Sequence, residues 1–363
     1  MDFSRRVERL LGLLQEKDLD AVILGDRANV RYFTGVRFNT ASFSFLFVSR
    51  GGDVALLTAV LDYNRVKRDC WIKDIIKFPE DDPNYLKPLK ELLYGRKIGR
   101  LGVEFSSVTV ERENLIKEVT DAELYNIESD LLRLRMIKEQ DEIEMLRIAA
   151  KIAEKGMIKA LESLREGIKE YEVSAIAQDV MMREGAEGLS FEPFVMSGEN
   201  AWLPQRFSSE KELKKGELAL FDMGCIYKGY CSDLTRTFSL GGLSDEQKHL
   251  FRVACEAQQR AIEAVKPGVL AEEIDRAARG YIEEKGYGRY FPHLTGHGVG
   301  LSIHEMPIVD VGSKTVLEPG MVVTIEPGIY LEGVGAARVE DMVLVTESGH
   351  ELLTNVPRDW IGG

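Results

Sequence analysis

Two acids on one predicted hairpin constrain this chain more than any other feature. Residues 217–225 (ELALFDMGC) and 230–240 (YCSDLTRTFSL) alternate or run apolar, and Tyr227-Lys228-Gly229 joins them as a tight turn would. Asp222 and Asp233 sit one on each arm. With Tyr227-Lys228 as the loop residues, the two acids face each other directly; with Lys228-Gly229, they become diagonal neighbours. In either register both carboxylates lie on one face, about 4.5–8 Å apart at Cβ. Like charges so placed repel, and the apolar lead-in LALF argues burial for Asp222. A surface hairpin could tolerate such a pair, but on a buried one a partner cation is expected.

The stretch PHLTGHGVGLSIHE, residues 292–305, supplies the next constraint. It holds three of the chain's five histidines, His293, His297 and His304, spaced by glycines that let backbone and ligand approach closely. Glu326 follows the apolar run MVVTI and precedes Pro-Gly, and Glu340 opens the strand-like RVEDMVLV. Asp222, Asp233, Glu326, Glu340 and His297 together carry four negative charges and one neutral nitrogen, a set that balances two divalent cations. Two such ions can share carboxylates and hold a hydroxide between them. Oxygen-rich ligands with one imidazole suit Mn²⁺, Co²⁺, Fe²⁺ or Zn²⁺ better than a thiolate site would.

Composition narrows the setting. A chain of 363 residues, 44% apolar and 29% charged, has the balance of a globular protein with two domains. The net charge of −13 argues against nucleic acid or an anionic membrane as partner. Cys70, Cys225, Cys231 and Cys255 form no CxxC pair and read as reduced thiols, so a cytoplasmic location is expected. The N-terminus reads as an amphipathic helix, not a signal peptide, and no apolar run reaches the roughly 18 residues of a membrane helix.

Along the chain, residues 1–125 read as an α/β domain. It has an N-terminal helix, a buried strand AVIL at 21–24, a hairpin of 43–48 and 54–57 around Gly51-Gly52, a strand at 98–103 and a helix at 110–119. Residues 126–363 form the second domain, opening on long helices with Ser129 or Asp130 as N-cap. Ile143, Leu146, Ala150, Ala153, Met157 and Ala160 make a core-facing stripe. Further helices are expected at 170–183, 244–264 and 271–285, with short strands at 322–325 and 342–345.

DMGCIYKGYCSDLTRT, GHGVGLSIHE, TIEPGIY and RVED resemble, in order and spacing, the metal-site motifs of the pita-bread metallopeptidases, in the branch of aminopeptidase P and prolidase. NVRYFTGV also resembles that branch's N-terminal domain, so the resemblance spans essentially the whole chain. It implies a creatinase/prolidase-like α/β domain followed by a pita-bread catalytic domain over a curved antiparallel sheet (α/β, α+β overall). It also implies that Asp222, Asp233, His297, Glu326 and Glu340 are dinuclear metal ligands. Glu326 would be general base and proton shuttle, His293 and His304 would serve the substrate carbonyl and tetrahedral intermediate, and Tyr330 and Arg338 would brace ligands and pocket. The implied activity is metal-dependent hydrolysis of the bond between an N-terminal residue and proline, on proline-containing peptides, by a homodimer.

Two departures qualify the match. The branch's LPH reads LPQ here, placing Gln205 where a substrate-directed histidine is expected; an amide can donate a hydrogen bond but carries no proton. The residue four after His304, an arginine in many prolidases that clamps a dipeptide's carboxylate, is Ile308. That loss favours an aminopeptidase accepting longer peptides over a strict dipeptidase, unless another basic residue serves. Two other readings stand beside it: a binding protein on the same fold, and a metal-free amidinohydrolase resembling creatinase. The intact five-residue set argues against both. Arg236 reads as a structural ion-pair partner, Trp202 and Phe194 as pocket or core, and His249 and His350 as surface residues.

Overall fold

The protein is described by a computed structural model over residues 1–38, 44–79 and 86–358. Phe43, expected to open the first hairpin, lies outside them. The chain divides into two compact units, Met1–Arg135 and Met136–Gly363. The strand Glu123–Asn126, which straddles the residue-125 boundary expected above, and the helix Glu128–Met136 beyond it belong almost wholly to the first unit. The strand extends the sheet in parallel beside Arg100–Val103, and Asp130 within the helix pairs with Lys17 at 3.0 Å. Ser129 and Asp130 thus lie inside a short helix and cap nothing. The long helix Gln140–Glu162 starts later, where the Glu142 carboxylate accepts the Glu139 backbone N–H at 2.9 Å.

The first unit is a six-stranded mixed sheet in the order Asp74–Phe78, Val54–Ala59, Ser44–Ser49, Ala21–Leu24, Arg100–Val103, Glu123–Asn126. The hairpin around Gly51-Gly52 closes with Val48 opposite Val54. Ile23, Phe47, Leu57, Leu101 and Val103 build its core. AVIL is buried at all four positions, which is why it reads as a continuous apolar run rather than an alternation.

The second unit repeats one plan twice, giving the pita-bread architecture. In its first half the helices Gln140–Glu162 and Glu170–Arg183 precede an antiparallel sheet of Phe194–Ser197, Leu218–Met223 and Leu234–Ser239. In its second half Asp245–Ala264 and Ala271–Glu284 precede a five-stranded sheet whose inner strands are Gly296–Gly298, Val322–Ile325 and Asp341–Val345. Each half has its own apolar core. The expected stripe from Ile143 to Ala160 is buried throughout. The halves are stitched by backbone and hydroxyl bonds: the Glu340 N–H donates to the Thr235 carbonyl at 3.1 Å. The Thr237 hydroxyl also donates to the Arg338 carbonyl at 2.8 Å.

The acid-bearing hairpin turns at Lys228-Gly229, with Tyr227 opposite Tyr230. Both loop residues are left-handed (φ 46° and 93°), the geometry of a two-residue turn that follows strand twist. In this register Asp222 faces Thr235, and Asp233 is its diagonal neighbour. Gly224 lies in the bend between them; a Cβ there would stand 1.9 Å from the Ser232 carbonyl oxygen, so only glycine fits. Among the described residues, no helix is long and apolar enough to cross a membrane.

Candidate metal centre

Five residues on or beside strands converge to make the site. Asp222 is next to last in the apolar strand Leu218–Met223, Asp233 precedes Leu234–Ser239, His297 is the centre of Gly296–Gly298, Glu326 follows Val322–Ile325, and Glu340 precedes Asp341–Val345. Ile325 pairs with Asp341, so Glu326 and Glu340 emerge at matched ends of adjacent antiparallel strands. The glycines around His297 are required by packing: a Cβ on Gly296 would lie 1.9 Å from the Thr324 carbonyl oxygen, and one on Gly298 2.1 Å from that of Met306. Asp222, Asp233, His297 and Glu340 are all buried, between 1% and 8% exposed.

Ligand atoms of Asp233, His297 and Glu340 all lie within 4.8 Å of one another. His297 Nε2 stands 3.2 Å from Glu326 Oε1 and 3.6 Å from Asp233 Oδ2. Its Nδ1 sits 3.0 Å from the Gly298 carbonyl, which fixes the ring so that Nε2 faces the acids. Arg338 crosses to Asp222 with a short ion pair, and its Nη1 donates to the Tyr330 hydroxyl at 2.8 Å. Thr235 donates to Glu340 Oε2 at 2.7 Å. Two carboxylate oxygens, Asp222 Oδ1 and Glu340 Oε1, are buried without a hydrogen-bond partner. A buried acceptor left unpaired is costly, and a cation is what this donor-poor set lacks.

The electrostatics show the same deficit of positive charge. Burial pushes Asp222 up to about 6 even against the Arg338 guanidinium, with Glu326 adding to the rise. Burial and then Asp222 push Asp233 upward, and burial and then Asp233 do the same for Glu340. His297 moves oppositely: burial would lower it, but its bond to Glu326 and the charges of Glu326 and Asp233 raise it to about 9. Burial would raise Glu326, yet His297 and Arg338 hold it below the usual carboxylate value. Without metal, the surrounding acids favour the protonated form of the His297 imidazole.

The cluster floors a cavity of about 640 Å³ walled by residues that include Phe191, Phe194, Pro204, Arg206, His293, Ile303, His304 and Tyr330. That volume lies within the range of small-ligand sites. His304 packs edge-on to His297 with ring centroids 4.4 Å apart. His293 Nδ1 meets the Leu294 carbonyl at 2.7 Å and its Nε2 meets the Tyr330 hydroxyl at 3.2 Å, so Tyr330 links Arg338 to His293. Burial lowers His293 and His304 below the ordinary imidazole value.

Of the ten site residues expected from sequence, nine come together here and Gln205 does not. Gln205 is absent from the cavity wall: its amide donates to the Phe207 carbonyl at 3.0 Å, closing a local turn, while Pro204 and Arg206 on either side face the cavity. Ile308 sits opposite His297 across the strand pair, outside the cavity wall. Phe194 lines the cavity and Trp202 does not. Arg236 is buried, pairing with Asp341 at 2.7 Å and binding the Val356 and Glu340 carbonyls. His249 and His350 are exposed. Sequence reasoning missed Thr235, whose hydroxyl joins Glu340 to the hairpin, and Arg206. Thr235 lies within a recognised motif and Arg206 beside another, but neither residue type announces a metal or a substrate.

A buried cluster of carboxylates and one imidazole under a peptide-sized cavity defines a metal-dependent hydrolase. Residues 144–347 match Metallopeptidase family M24, and residues 6–137 match the Creatinase/Prolidase N-terminal domain. The chain belongs to metallopeptidase family M24, and the family implies divalent metal ions. It is 37% identical to the Xaa-Pro dipeptidase of Pyrococcus furiosus, over 98% of this chain and 99% of that protein. Its structure is similar to the prolidase of Pyrococcus horikoshii (TM-score 0.92, 34% identity, 98% and 100% of the two chains). It is also similar to the X-Pro aminopeptidase of Thermotoga maritima (TM-score 0.89, 33% identity, 98% and 99%).

Proposed function

We propose that this metallopeptidase hydrolyses the bond between an N-terminal residue and proline in short peptides. Asp222, Asp233, His297, Glu326 and Glu340 would hold two divalent cations, Mn²⁺ or Co²⁺ before Zn²⁺ or Fe²⁺. The observation that carries this reading is the pair of partnerless oxygens, Asp222 Oδ1 and Glu340 Oε1, within an acid cluster at a cavity floor. Bound divalent cations would lower the pKa of water and polarise the peptide carbonyl.

The protein's own groups divide the remaining work. Glu326, less buried than the other acids and edged by the cavity, is the carboxylate placed to accept a proton from the nucleophile and return it to the departing nitrogen. His304, neutral and open to the cavity, can donate to the substrate carbonyl. His293 is held by Leu294 and Tyr330 with its ring against the cavity, ready to stabilise the tetrahedral species. Arg338 fixes Asp222 and Tyr330. Gln205 acts through the loop it closes. The homodimer and the cytoplasmic setting belong to the same proposal; the four free thiols suit a reducing compartment.

The test is proline release from Met-Pro and from Xaa-Pro-Yaa peptides by metal-free, Mn²⁺-, Co²⁺- and Zn²⁺-loaded protein. Cleavage at the Xaa-Pro bond that appears only with metal is expected. Stoichiometric metal uptake with no cleavage of either peptide would remove this reading and favour a binding role.

A further inference from the structure

Arg206 has no established use. It stands on the cavity wall, is exposed, and among the described residues forms no ion pair with any carboxylate; Glu192 on the same wall is not within pairing distance. The other guanidinium on the wall, Arg338, is committed to Asp222 and Tyr330. Arg206 is therefore the cavity's uncommitted strong cation, above a floor crowded with acids. Its backbone is left-handed (φ 54°), a conformation that glycine adopts freely and arginine rarely does. The turn is held from both sides, by the Arg206 N–H on Met196 Sδ at 3.2 Å and by the Gln205 amide on the Phe207 carbonyl. Its charge reaches His304, where it opposes protonation.

A free dipeptide brings one carboxylate into a cavity whose floor repels carboxylates. That group needs a cation outside the metal cluster, and Ile308 cannot supply one. We infer that Arg206 is the specificity-determining residue that pairs with the free carboxylate of an Xaa-Pro dipeptide, so that chain-terminal proline is preferred over proline followed by another residue. This rests on the peptidase reading above, and it reverses the preference for longer peptides that Ile308 suggested.

The experiment compares Met-Pro with Met-Pro amide, which lacks only the charge, on the metal-loaded wild type, R206A and R206K. Calorimetric binding of L-proline and L-prolinamide to the same proteins gives a readout independent of turnover. Wild type should prefer Met-Pro in kcat/KM. In R206A the Met-Pro to amide ratio should fall about 10-fold or more, carried by KM for Met-Pro, as expected for losing a charge-assisted pair. R206K should keep part of the preference, and L-proline binding should weaken in R206A in step. An unchanged ratio in R206A, or equal losses on both substrates, overturns the inference while leaving the peptidase reading intact. If neither substrate is cleaved but L-proline still binds through Arg206, the peptidase reading fails and the carboxylate site stands.

Discussion

In the metal-free protein the acids around His297 favour its protonated form, and this shapes the pH dependence expected of its stability. Its folded value of about 9 lies above the ordinary 6.5, so the stability it contributes is complete below 6.5 and is lost as pH rises through 9. Asp222, raised from 3.8 to about 6, acts in the same direction over a lower window: its contribution is present below 3.8 and is lost through 6. Asp233 and Glu340 shift the same way, while the depressed Glu326 opposes them. The proposed divalent cations would replace these protons. The melting temperature of metal-free protein should therefore fall from pH 5 to pH 9, and the gap between metal-loaded and metal-free protein should widen. A gap that is flat or narrows with pH would contradict this assignment. Neutralising one acid separates site from scaffold: Glu340→Gln should raise the metal-free melting temperature by relieving repulsion. The same change should abolish full metal uptake and lower kcat/KM by more than the roughly 10- to 100-fold typical of residues behind the ligands. Elemental analysis and thermal melts measure both. The four acids were legible because ionisable residues beside apolar runs are conspicuous, and the three histidines because they cluster among glycines. Arg206 was not, because a lone arginine in a loop looks like solvent-facing charge until the fold turns it inward.

At the scale of elements, the hairpin shows how much register decides. Sequence left two registers open, differing by one residue; the left-handed pair Lys228-Gly229 chooses between them and puts Thr235, not Asp233, opposite Asp222. The spare position is used, since Thr235 binds Glu340 and so ties the first sheet to the second. Gly224 is the hinge of this arrangement. Gly224→Ala should push the two arms apart, costing about 1–3 kcal/mol as overpacking does and weakening metal binding. Denaturant melts and metal titration follow the two effects, and wild-type metal affinity in this variant would show that the bend is incidental. Helices with strong stripes, such as Gln140–Glu162, could be read from sequence closely. The missed start near Ser129 has a plain cause. Two residues suited to capping, Ser129 and Asp130, fall instead in the first turn of Glu128–Met136, where Asp130 pairs with Lys17, a contact distant in sequence.

At the scale of the whole chain, the doubled plan of helix pair and sheet in residues 136–363 was visible as repeated helices followed by acid-bearing strands. The pairing of sheets was not, because it depends on contacts such as Glu340 to Thr235 that are distant in sequence. If the proposed metals bind between the two halves, loading should raise hydrogen-exchange protection in Leu218–Met223, Leu234–Ser239, Val322–Ile325 and Asp341–Val345. The strands Ala21–Leu24 and Arg100–Val103 should change little. Equal protection gains in both units would argue against a site confined to the second. The order of these segments has a further consequence for chain entropy. From Asp222 to Glu340 the proposed ligands bound a series of consecutive loops, and bound ions would close them together. Closure entropy grows only slowly with loop length, so the long intervals weigh little more than the short ones. The centre then acts as a removable cross-link, and slow metal release should set the rate at which the loaded protein comes apart.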